Sequence, residues 1–323
     1  MMRIAVLDDW QRAARSSADW SPLMARAEVT FFSAPFADEE DAAQALADFE
    51  IVLATRERTP FPRTLHTRLS RLRMFGLTGA RAALIDVAGM IERGVTVCYT
   101  RGGPSVQSTA ELALGLMLAA ARRIPQSDAA VREGRFQAGT QEGFILAGKT
   151  IGLLGLGRIG AQMAGYCNAL GMRVVAWSQN LTEERALDAG ATRVSKDELL
   201  AISDVISLHL VLSERTRGIV GAAEITRMKP KAILVNTSRG ALVNEDALID
   251  ALRSQRIVAA VDVYWREPLP ADHPLMGLPG IVLTPHLGYS VREVYAEYYT
   301  DSVENAIAFL DGKPIRIVDR PGH

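Results

Sequence analysis

One segment, residues 149–177, constrains the fold of this chain more than any other: KTIGLLGLGRIGAQMAGYCNALGMRVVAW. It contains an apolar strand, a glycine loop, an amphipathic helix and a second apolar strand within about 30 residues, the context in which G-x-G-x-x-G is specific. The loop consists of Gly155, Leu156, Gly157, Arg158, Ile159 and Gly160. The segment therefore predicts a parallel βαβ unit whose loop binds the pyrophosphate of a dinucleotide.

The residues of this loop have separate predicted roles. Gly155 permits the tight turn, Gly157 lets the backbone approach the pyrophosphate, and Gly160 lets the helix pack closely on the strand. The helix N-terminus offers free N–H groups and a positive dipole end to the phosphates. We expect Arg158 and Ile159, which open the helix, to lie at the cofactor. Arg158 would either contact phosphate or lie in solvent.

The residue that binds the ribose lies roughly 20 residues beyond such a loop and is usually acidic. Ser178 occupies this place, 23 residues after Gly155. A carboxylate there would accept the ribose hydroxyls of NAD and repel a 2′-phosphate, so serine removes the repulsion without adding a cation. Arg185 is near in sequence but is expected on the next helix. The predicted cofactor is NAD(P), with NADP slightly favoured over NAD.

Short apolar runs alternate with helical patterns along the chain, and many are apolar on both faces, as buried parallel strands are. Strands are predicted over 3–7, 51–54, 72–77, 95–99, 150–155, 173–177, 205–210, 232–236, 258–263, 281–284 and 315–318. The alternation predicts an α/β fold with two doubly wound parallel-sheet domains. The economical arrangement is a Rossmann nucleotide-binding domain inserted into a discontinuous flavodoxin-like outer domain.

Glycine and proline mark two candidate boundaries, in TRGGPS at 100–105 and near TPHLGYS at 284–290. They predict a substrate or outer domain formed by residues 1–99 and 288–323. Residues 100–287 would form the dinucleotide-binding domain.

Composition excludes several classes of protein. The formal net charge is −1 and no basic stripe is present, so no nucleic-acid partner is expected. The longest apolar helix candidate, 113–121, is far shorter than the roughly 20 residues that span a bilayer, so no membrane partner is expected either. Cys98 and Cys167 form neither a disulfide framework nor a zinc site, and no metal is predicted. A cytoplasmic location is expected.

Polar side chains recur at or near later strand ends. Arg239 and His286 follow predicted strands, Asp262 lies within one, and Glu267 precedes Pro268. Open α/β sheets bind ligands at the carboxyl ends of their strands, so we expect these side chains to converge on one crevice. Each alone has an ordinary structural explanation, such as a surface arginine or a Glu-Pro turn. Together with the glycine loop they favour a functional site.

Several motifs resemble the D-isomer-specific 2-hydroxyacid dehydrogenases, a family that includes phosphoglycerate dehydrogenases and glyoxylate/hydroxypyruvate reductases. The motifs are GLGRIG, SLHLVLSERTRGIV, MKPKAILVNTSRGALVNEDALIDAL, VDVYWREPLP and LTPHLG. Their order and spacing match over the central domain, and the outer segments match less tightly. The resemblance implies an oxidoreductase that transfers a hydride between a nicotinamide dinucleotide and a small D-2-hydroxy or 2-oxo acid.

The resemblance also implies a role for each polar residue. Arg239 would bind the substrate carboxylate and polarise the 2-oxo group. His286 would be the general acid/base, and Glu267 would hold its imidazole and favour imidazolium. Asp262 would bind the nicotinamide carboxamide, and Thr109 is a further candidate contact to the cofactor.

The chain departs from the family pattern in its outer domain. Residues 79–86 align with a family segment of the type GAGYDNID, whose backbone N–H groups help bind the substrate carboxylate. Here Arg81 replaces a glycine. Ala80, Arg81 and Arg56 are the candidate residues on the substrate side, with Arg81 either in solvent or adding a second anion contact.

Two alternatives stand beside the dehydrogenase. Transcriptional corepressors of the same fold are non-enzymatic NAD(H) sensors that keep a similar triad, but no extra peptide-docking module is visible here. A formate dehydrogenase would pair its histidine with a glutamine, whereas this chain has Glu267. The resemblance further implies a homodimer formed largely by the nucleotide domain, with residues 110–126 at the interface.

Overall fold

The computed structural model describes residues 1–79 and 84–318. The chain divides into two compact units, one formed by Met1–Pro104 and Val291–His323 and the other by Ser105–Ser290. Each unit is built on one parallel sheet that alternates with helices along the chain. The predicted fold class is therefore confirmed. The assignment of one unit to the substrate and the other to the dinucleotide stays a prediction.

The first unit contains a five-stranded parallel sheet in the order β2-β1-β3-β4-β5. Its strands are β1 (Met2–Val6), β2 (Ala27–Phe31), β3 (Ile51–Ala54), β4 (Met74–Leu77) and β5 (Thr96–Tyr99). Its helices are α1 (Ala14–Ser17), α2 (Ser21–Met24), α3 (Glu39–Leu46), α4 (Arg63–His66), α5 (Val87–Glu92) and α13 (Arg292–Leu310). The central strands β3 and β4 are buried along their whole length, as expected for a sheet with both faces covered.

The second unit contains a seven-stranded parallel sheet in the order β12-β11-β10-β9-β6-β7-β8. Its strands are β6 (Thr150–Leu154), β7 (Arg173–Trp177), β8 (Thr192–Arg193), β9 (Val205–Leu208), β10 (Ile233–Asn236), β11 (Val258–Val261) and β12 (Ile281–Leu283). Its α-helices are α6 (Ser105–Ala121), α7 (Ile124–Arg132), α8 (Arg158–Ala169), α9 (Glu183–Asp188), α10 (Lys196–Ile202), α11 (Ala222–Arg227) and α12 (Glu245–Arg253), and 3₁₀ turns cover Gly240–Leu242 and Pro274–Gly277.

The order of these strands reverses between β6 and β9. From β6 the chain runs outward through β7 and β8, and from β9 it runs outward in the other direction to β12. Such a reversal opens a crevice beyond the carboxyl ends of the two strands, where doubly wound sheets bind their ligands. We therefore expect the ligand site at the loops that follow β6 and β9.

Alternating strand residues build a core on each face of this sheet. Leu153 belongs to an apolar cluster that includes Met163 of α8, and its neighbour Leu154 belongs to a second cluster with Leu199 of α10. Two helices begin at side-chain caps, where Ser195 accepts from the N–H of Glu198 at 3.1 Å and Asn244 from the N–H of Ala247 at 2.9 Å. Each such cap contributes about 1 kcal/mol.

The structure corrects several predicted strands. The edge strand β2 was not predicted, because polar residues interrupt its apolar pattern, and the exposed edge strand β8 has only two residues. The predicted strand 315–318 is reduced to a single antiparallel bridge between Ile317 and Cys98. Asp262 does not lie within a strand, since β11 ends at Val261. A membrane-crossing helix is absent from the described residues, none of which form a helix with the required length and apolar character.

Candidate active site

Four strands of the second unit end in register at one edge of its sheet. Leu154 of β6 pairs with Leu208 of β9, which pairs with Asn236 of β10. Asn236 also pairs with Val261 of β11. The first residues beyond these strand ends are Gly155, His209, Thr237 and Asp262. These four residues, which lie between positions 155 and 262 of the sequence, are thus brought to one carboxyl edge.

The glycine loop follows β6 and leads directly into α8, which begins at Arg158. Gly155 has a φ of 103°, and a Cβ atom there would lie 2.6 Å from the carbonyl carbon of His209. A Cβ atom at Gly160 would lie 2.2 Å from the carbonyl oxygen of Gly155. At Gly157, by contrast, a Cβ atom would point into open space. The loop therefore packs tightly on its protein side and is open on the other, which fits a diphosphate at the start of α8.

The remaining predicted dinucleotide residues lie around this loop. Arg158 is exposed, and Ile159 is half-buried. Ser178 is half-buried and directly follows β7, where the ribose of a bound dinucleotide is expected. Arg185 lies on α9 and is exposed.

The imidazole of His286 contacts the carboxylate of Glu267. Nδ1 of His286 lies 2.5 Å from Oε2 of Glu267, and Oε1 of that carboxylate accepts from the N–H of Tyr264 at 2.9 Å. His286 has a φ of 56°, a left-handed conformation that is uncommon for a residue with a side chain and often marks a functional site. The ring of Tyr289 packs edge-on against the imidazole at 5.5 Å. The carboxylate thus fixes one ring nitrogen and leaves Nε2 for other chemistry.

The charge of Glu267 is stabilised where it lies. Burial raises the pKa of the Glu267 carboxyl, but the hydrogen bond and the charge of His286 lower it. The N–H of Tyr264 and the charge of Arg239 lower it further, so that the pKa falls below its usual value. The carboxylate is therefore ionised at neutral pH and places a negative charge beside the imidazole.

Asp262 is completely buried and organises the loop that carries His286. Its carboxylate accepts from the hydroxyl of Thr284 at 2.6 Å and from the N–H groups of Leu287 at 2.7 Å and Gly288 at 2.9 Å. Burial raises the pKa of the Asp262 carboxyl against these hydrogen bonds. The N–H of His286 donates to the carbonyl of Asp262 at 2.9 Å, so the two residues are held in fixed positions.

Arg239 precedes the short 3₁₀ turn after β10. Its guanidinium donates to the carbonyl of Ser238 at 2.8 Å, and its own carbonyl accepts from the side-chain amide of Asn236 at 2.9 Å. The side chain is half-buried and close enough to Glu267 to lower the pKa of that carboxyl. A cation, a histidine and a carboxylate therefore meet at the same edge as the glycine loop.

The sequence of the second unit has a match among known proteins. Residues 114–288 match the sequence model described as D-isomer specific 2-hydroxyacid dehydrogenase, NAD binding domain. The chain belongs to the D-isomer specific 2-hydroxyacid dehydrogenase family. The resemblance drawn from the sequence motifs is confirmed, and the matched range contains Arg239, Glu267 and His286.

Individual relatives in the family differ in length and in name. A D-3-phosphoglycerate dehydrogenase of Archaeoglobus fulgidus is 37% identical over 86% of this chain and 52% of its own length, so this chain spans about half of that relative. A hydroxypyruvate reductase of Blautia hydrogenotrophica is 32% identical over 99% of this chain and 100% of its own. The crystal structure of a phosphoglycerate oxidoreductase from Vibrio cholerae has a TM-score of 0.91 at 36% identity, covering 97% of this chain and 100% of its own.

Other predicted residues of this family site have partners within their own unit. The hydroxyl of Thr109 lies 2.8 Å from the carbonyl of Ser105 and 2.9 Å from that of Gly288. In the first unit, Arg56 follows β3 with a φ of 55° and its guanidinium donates to the carbonyl of Thr78 at 3.2 Å. The predicted substrate residues Ala80 and Arg81 lie outside the described residues.

Sequence reasoning missed two polar residues at this edge. Within residues 1–79 and 84–318, Nδ1 of His209 and Oγ1 of Thr237 are buried without a hydrogen-bond partner. The predicted strand 205–210 ran through His209, so its place just beyond a strand end was not recognised. Thr237 directly follows a predicted strand, and this position was the signal that could have identified it. The orphaned polar atoms support the fit of a polar ligand, because buried polar groups normally have partners.

Proposed function

We propose that this chain is an NAD(P)-dependent D-2-hydroxyacid dehydrogenase that works as a reductase of small 2-oxo acids. One observation carries the proposal: Nδ1 of His286 lies 2.5 Å from Glu267 at the edge of the sheet that bears an open glycine loop. A proton donor and a dinucleotide loop on one edge are what hydride transfer to a carbonyl requires.

The residues divide the chemistry as follows. When bound, the nicotinamide dinucleotide supplies or accepts the hydride. His286 gives a proton from Nε2 to the 2-oxo oxygen during reduction and takes it back during oxidation. Glu267 orients the imidazole through Nδ1 and stabilises its positive charge, as the third member of a catalytic triad does. Arg239 holds the substrate carboxylate through charge-assisted hydrogen bonds and polarises the oxo group.

The dinucleotide would be held along the carboxyl edge of the second unit. Gly155 and Gly160 would keep the turn and the helix packing tight, and Gly157 would let the backbone approach the diphosphate, with Arg158 and Ile159 at the start of α8. Asp262 would accept from the carboxamide through Oδ2, which accepts one described hydrogen bond and has a second lone pair. Thr109 would contribute on the nicotinamide side.

The choice between the two dinucleotides rests on Ser178. A serine at the strand end can accept a hydrogen bond from a ribose hydroxyl or donate one to it. It carries no charge that would repel a 2′-phosphate. No arginine is adjacent to it in sequence, and Arg185, the next arginine along the chain, lies on a separate helix. We therefore propose that both dinucleotides are used, with NADP slightly preferred.

We propose that the first unit binds the substrate. We propose residues 1–99 and 288–323 as the substrate domain and 100–287 as the dinucleotide domain. Arg56 is held in its left-handed conformation by a hydrogen bond from its N–H to the hydroxyl of Thr78 at 2.6 Å, which gives its side chain a fixed origin. Arg56, with Ala80 and Arg81, remains a proposed contact of the substrate.

We also propose a homodimer through the second unit. Much of the predicted interface helix 110–126 is internal, since Ala113 and Met117 are buried in the unit's own core. Large apolar side chains are nevertheless exposed just beyond it, with Phe136 at 80% and Ile145 at 70%. We propose that these side chains are covered in the dimer. A monomer mass in solution would contradict the dimer.

Turnover tests the proposed activity directly. The purified chain is given glyoxylate, hydroxypyruvate, phenylpyruvate or 2-oxoglutarate with NADH or NADPH, and absorbance at the nicotinamide band is followed. We expect reduction of at least one acid, lost in Arg239→Ala and His286→Ala while the dinucleotide still binds. Binding of dinucleotide with no turnover on any acid would instead support the non-enzymatic corepressor-like sensor, which no feature of the described residues favours.

A further inference from the structure

His209 lies where the strand order of the second unit reverses. It is the first residue beyond β9, as Gly155 is the first beyond the neighbouring strand β6. The N–H of His209 donates to the carbonyl of Leu154 at 2.8 Å. The backbone of His209 is so close to Gly155 that any side chain at that glycine would collide with it. His209 therefore packs directly against the phosphate-binding loop.

The side chain of His209 leaves the backbone beside the start of α8. A Cβ atom built on Gly160, in the first turn of that helix, would lie 3.5 Å from the Cβ atom of His209. The N-terminus of α8 presents unpaired N–H groups and a positive dipole end at this point. The imidazole is thus attached next to the place where a diphosphate is expected.

The hydrogen bonds of the imidazole are incomplete. Nε2 lies 2.9 Å from the hydroxyl oxygen of Ser207, whereas Nδ1 is buried and finds no partner among the described residues. Burial lowers the pKa of His209 to about 4, so the ring is neutral at physiological pH. A neutral ring carries its one proton on either nitrogen, and the choice depends on Ser207.

Counting unpaired groups decides the tautomer. If the hydroxyl of Ser207 donates to Nε2, the proton of the ring is on Nδ1, and Nδ1–H is the one group without a partner. If Nε2–H donated instead, the serine proton and the Nδ1 lone pair would both need partners. Each buried unpaired group costs about 1–3 kcal/mol, so the first arrangement is favoured. His209 therefore presents a neutral, buried N–H donor beside the glycine loop.

We propose that Nδ1–H of His209 donates a hydrogen bond to the diphosphate of the bound dinucleotide, with Ser207 fixing the tautomer that allows it. The inference rests on the proposed dinucleotide function. A diphosphate oxygen is an acceptor that satisfies the orphaned donor, and a hydrogen bond to a charged acceptor is among the stronger ones in proteins. His209 is then a cofactor-positioning residue rather than a catalytic one.

Two amide substitutions distinguish the contributions of the two ring nitrogens to dinucleotide binding. His209→Asn places an N–H donor near the position of Nδ1, and His209→Gln places its amide near the position of Nε2. Dissociation constants are measured by calorimetry for NADH, for ADP, which has the diphosphate, and for adenosine, which lacks it. We expect His209→Gln to bind NADH and ADP about 10- to 100-fold more weakly than the wild type, and His209→Asn only about threefold more weakly. The affinity for adenosine should not change in either variant.

His273→Asn is the matched control, because this histidine of the same unit uses Nε2 to contact Glu245 at 2.7 Å and lies in another loop. The affinity of His273→Asn for ADP should equal that of the wild type. If both His209 variants unfold, Ser207→Ala tests the same hydrogen bond. Without the Ser207 hydroxyl, nothing keeps the ring proton on Nδ1, and we expect ADP to bind about 3- to 10-fold more weakly.

The outcomes separate this inference from the function on which it rests. Equal ADP affinity in wild type, His209→Asn and His209→Gln overturns the hydrogen bond while leaving the dinucleotide function intact. Equal losses for ADP and adenosine would show a structural role and also overturn it. A wild-type chain that binds neither NADH nor NADPH refutes the proposed function, and this inference with it.

Discussion

Nδ1 of His286 lies 2.5 Å from Oε2 of Glu267, and the other oxygen of that carboxylate accepts from a backbone N–H. One carboxylate oxygen therefore contacts the imidazole, and the other anchors the carboxylate to the backbone. Glu267→Gln keeps the shape but removes the charge that stabilises imidazolium. We expect kcat for 2-oxo acid reduction to fall roughly 100-fold or more, the scale of general acid–base catalysis.

The chain supplies a matched control for this substitution. Glu245 contacts His273 at 2.7 Å in the same unit, and neither residue is assigned to the site. Glu245→Gln should leave kcat unchanged. Equal losses in both variants would show that the Glu267 effect comes from weakened packing rather than from proton transfer.

Two glycines of the same helix give a second prediction. A Cβ atom at Gly160 would lie 2.2 Å from the carbonyl oxygen of Gly155, whereas one at Gly165 would meet nothing within 4 Å. Gly160→Ala must displace the loop, and we expect dinucleotide affinity to fall about tenfold or more, which requires a cost near 1.4 kcal/mol. Gly165→Ala should keep the affinity and raise the unfolding free energy by about 0.5–1 kcal/mol. Calorimetry and urea unfolding measure the two effects, and equal affinities would contradict the first.

The sequence predicted the parts of this site that local chemistry dictates. The loop from Gly155 to Gly160 is a contiguous pattern with a strand before it and a helix after it, so periodicity was enough. Arg239, Glu267 and His286 required the further knowledge that parallel strands end at a common edge. Their individual roles rest on the family resemblance and await the experiments above.

Other features depend on packing that no local pattern contains. Whether Nδ1 of His209 has a partner depends on Ser207, α8 and the glycine loop together, and burial without a partner has no sequence signature. Strand ends were also misplaced: Asp262 was predicted within a strand, because an apolar run continues on both sides of it. The carboxylate of Asp262 lies beyond β11 and accepts three hydrogen bonds from residues 284–288. These residues follow a different strand, β12.

Ser178 gives a prediction about cofactor choice. Ser178→Asp places a carboxylate at the end of β7, where it would accept the ribose hydroxyls of NADH and repel the 2′-phosphate of NADPH. We expect the KM for NADPH to rise roughly tenfold or more, equivalent to about 1.4 kcal/mol of repulsion, while the KM for NADH stays equal or falls. If the wild type already prefers NADH by about a hundredfold, some 2.7 kcal/mol, the proposed tolerance of Ser178 for NADP is wrong.

The last prediction concerns a carboxyl group of the first unit. Asp8 is the second residue after β1 and is buried. It accepts from the hydroxyl of Thr59 at 2.8 Å and from the N–H of Thr59 at 3.1 Å. Burial raises the pKa of Asp8 to about 6, against the opposing effects of Thr59 and Arg58. Between about pH 4 and pH 6 the native state therefore holds more protons at this group than the unfolded state does. The stabilisation is full below the unfolded pKa and is lost as pH rises through the native pKa.

Asp8→Asn removes the titration and should remove this pH dependence. A pKa raised from 3.8 to about 6 corresponds to up to roughly 3 kcal/mol. The difference in unfolding free energy between variant and wild type should therefore grow in favour of the variant from pH 4.5 to pH 7.5. Urea unfolding followed by circular dichroism across this range measures the difference, which cancels the titration of other groups. A difference that stays constant with pH would show that the Asp8 carboxyl titrates alike in the folded and unfolded chain.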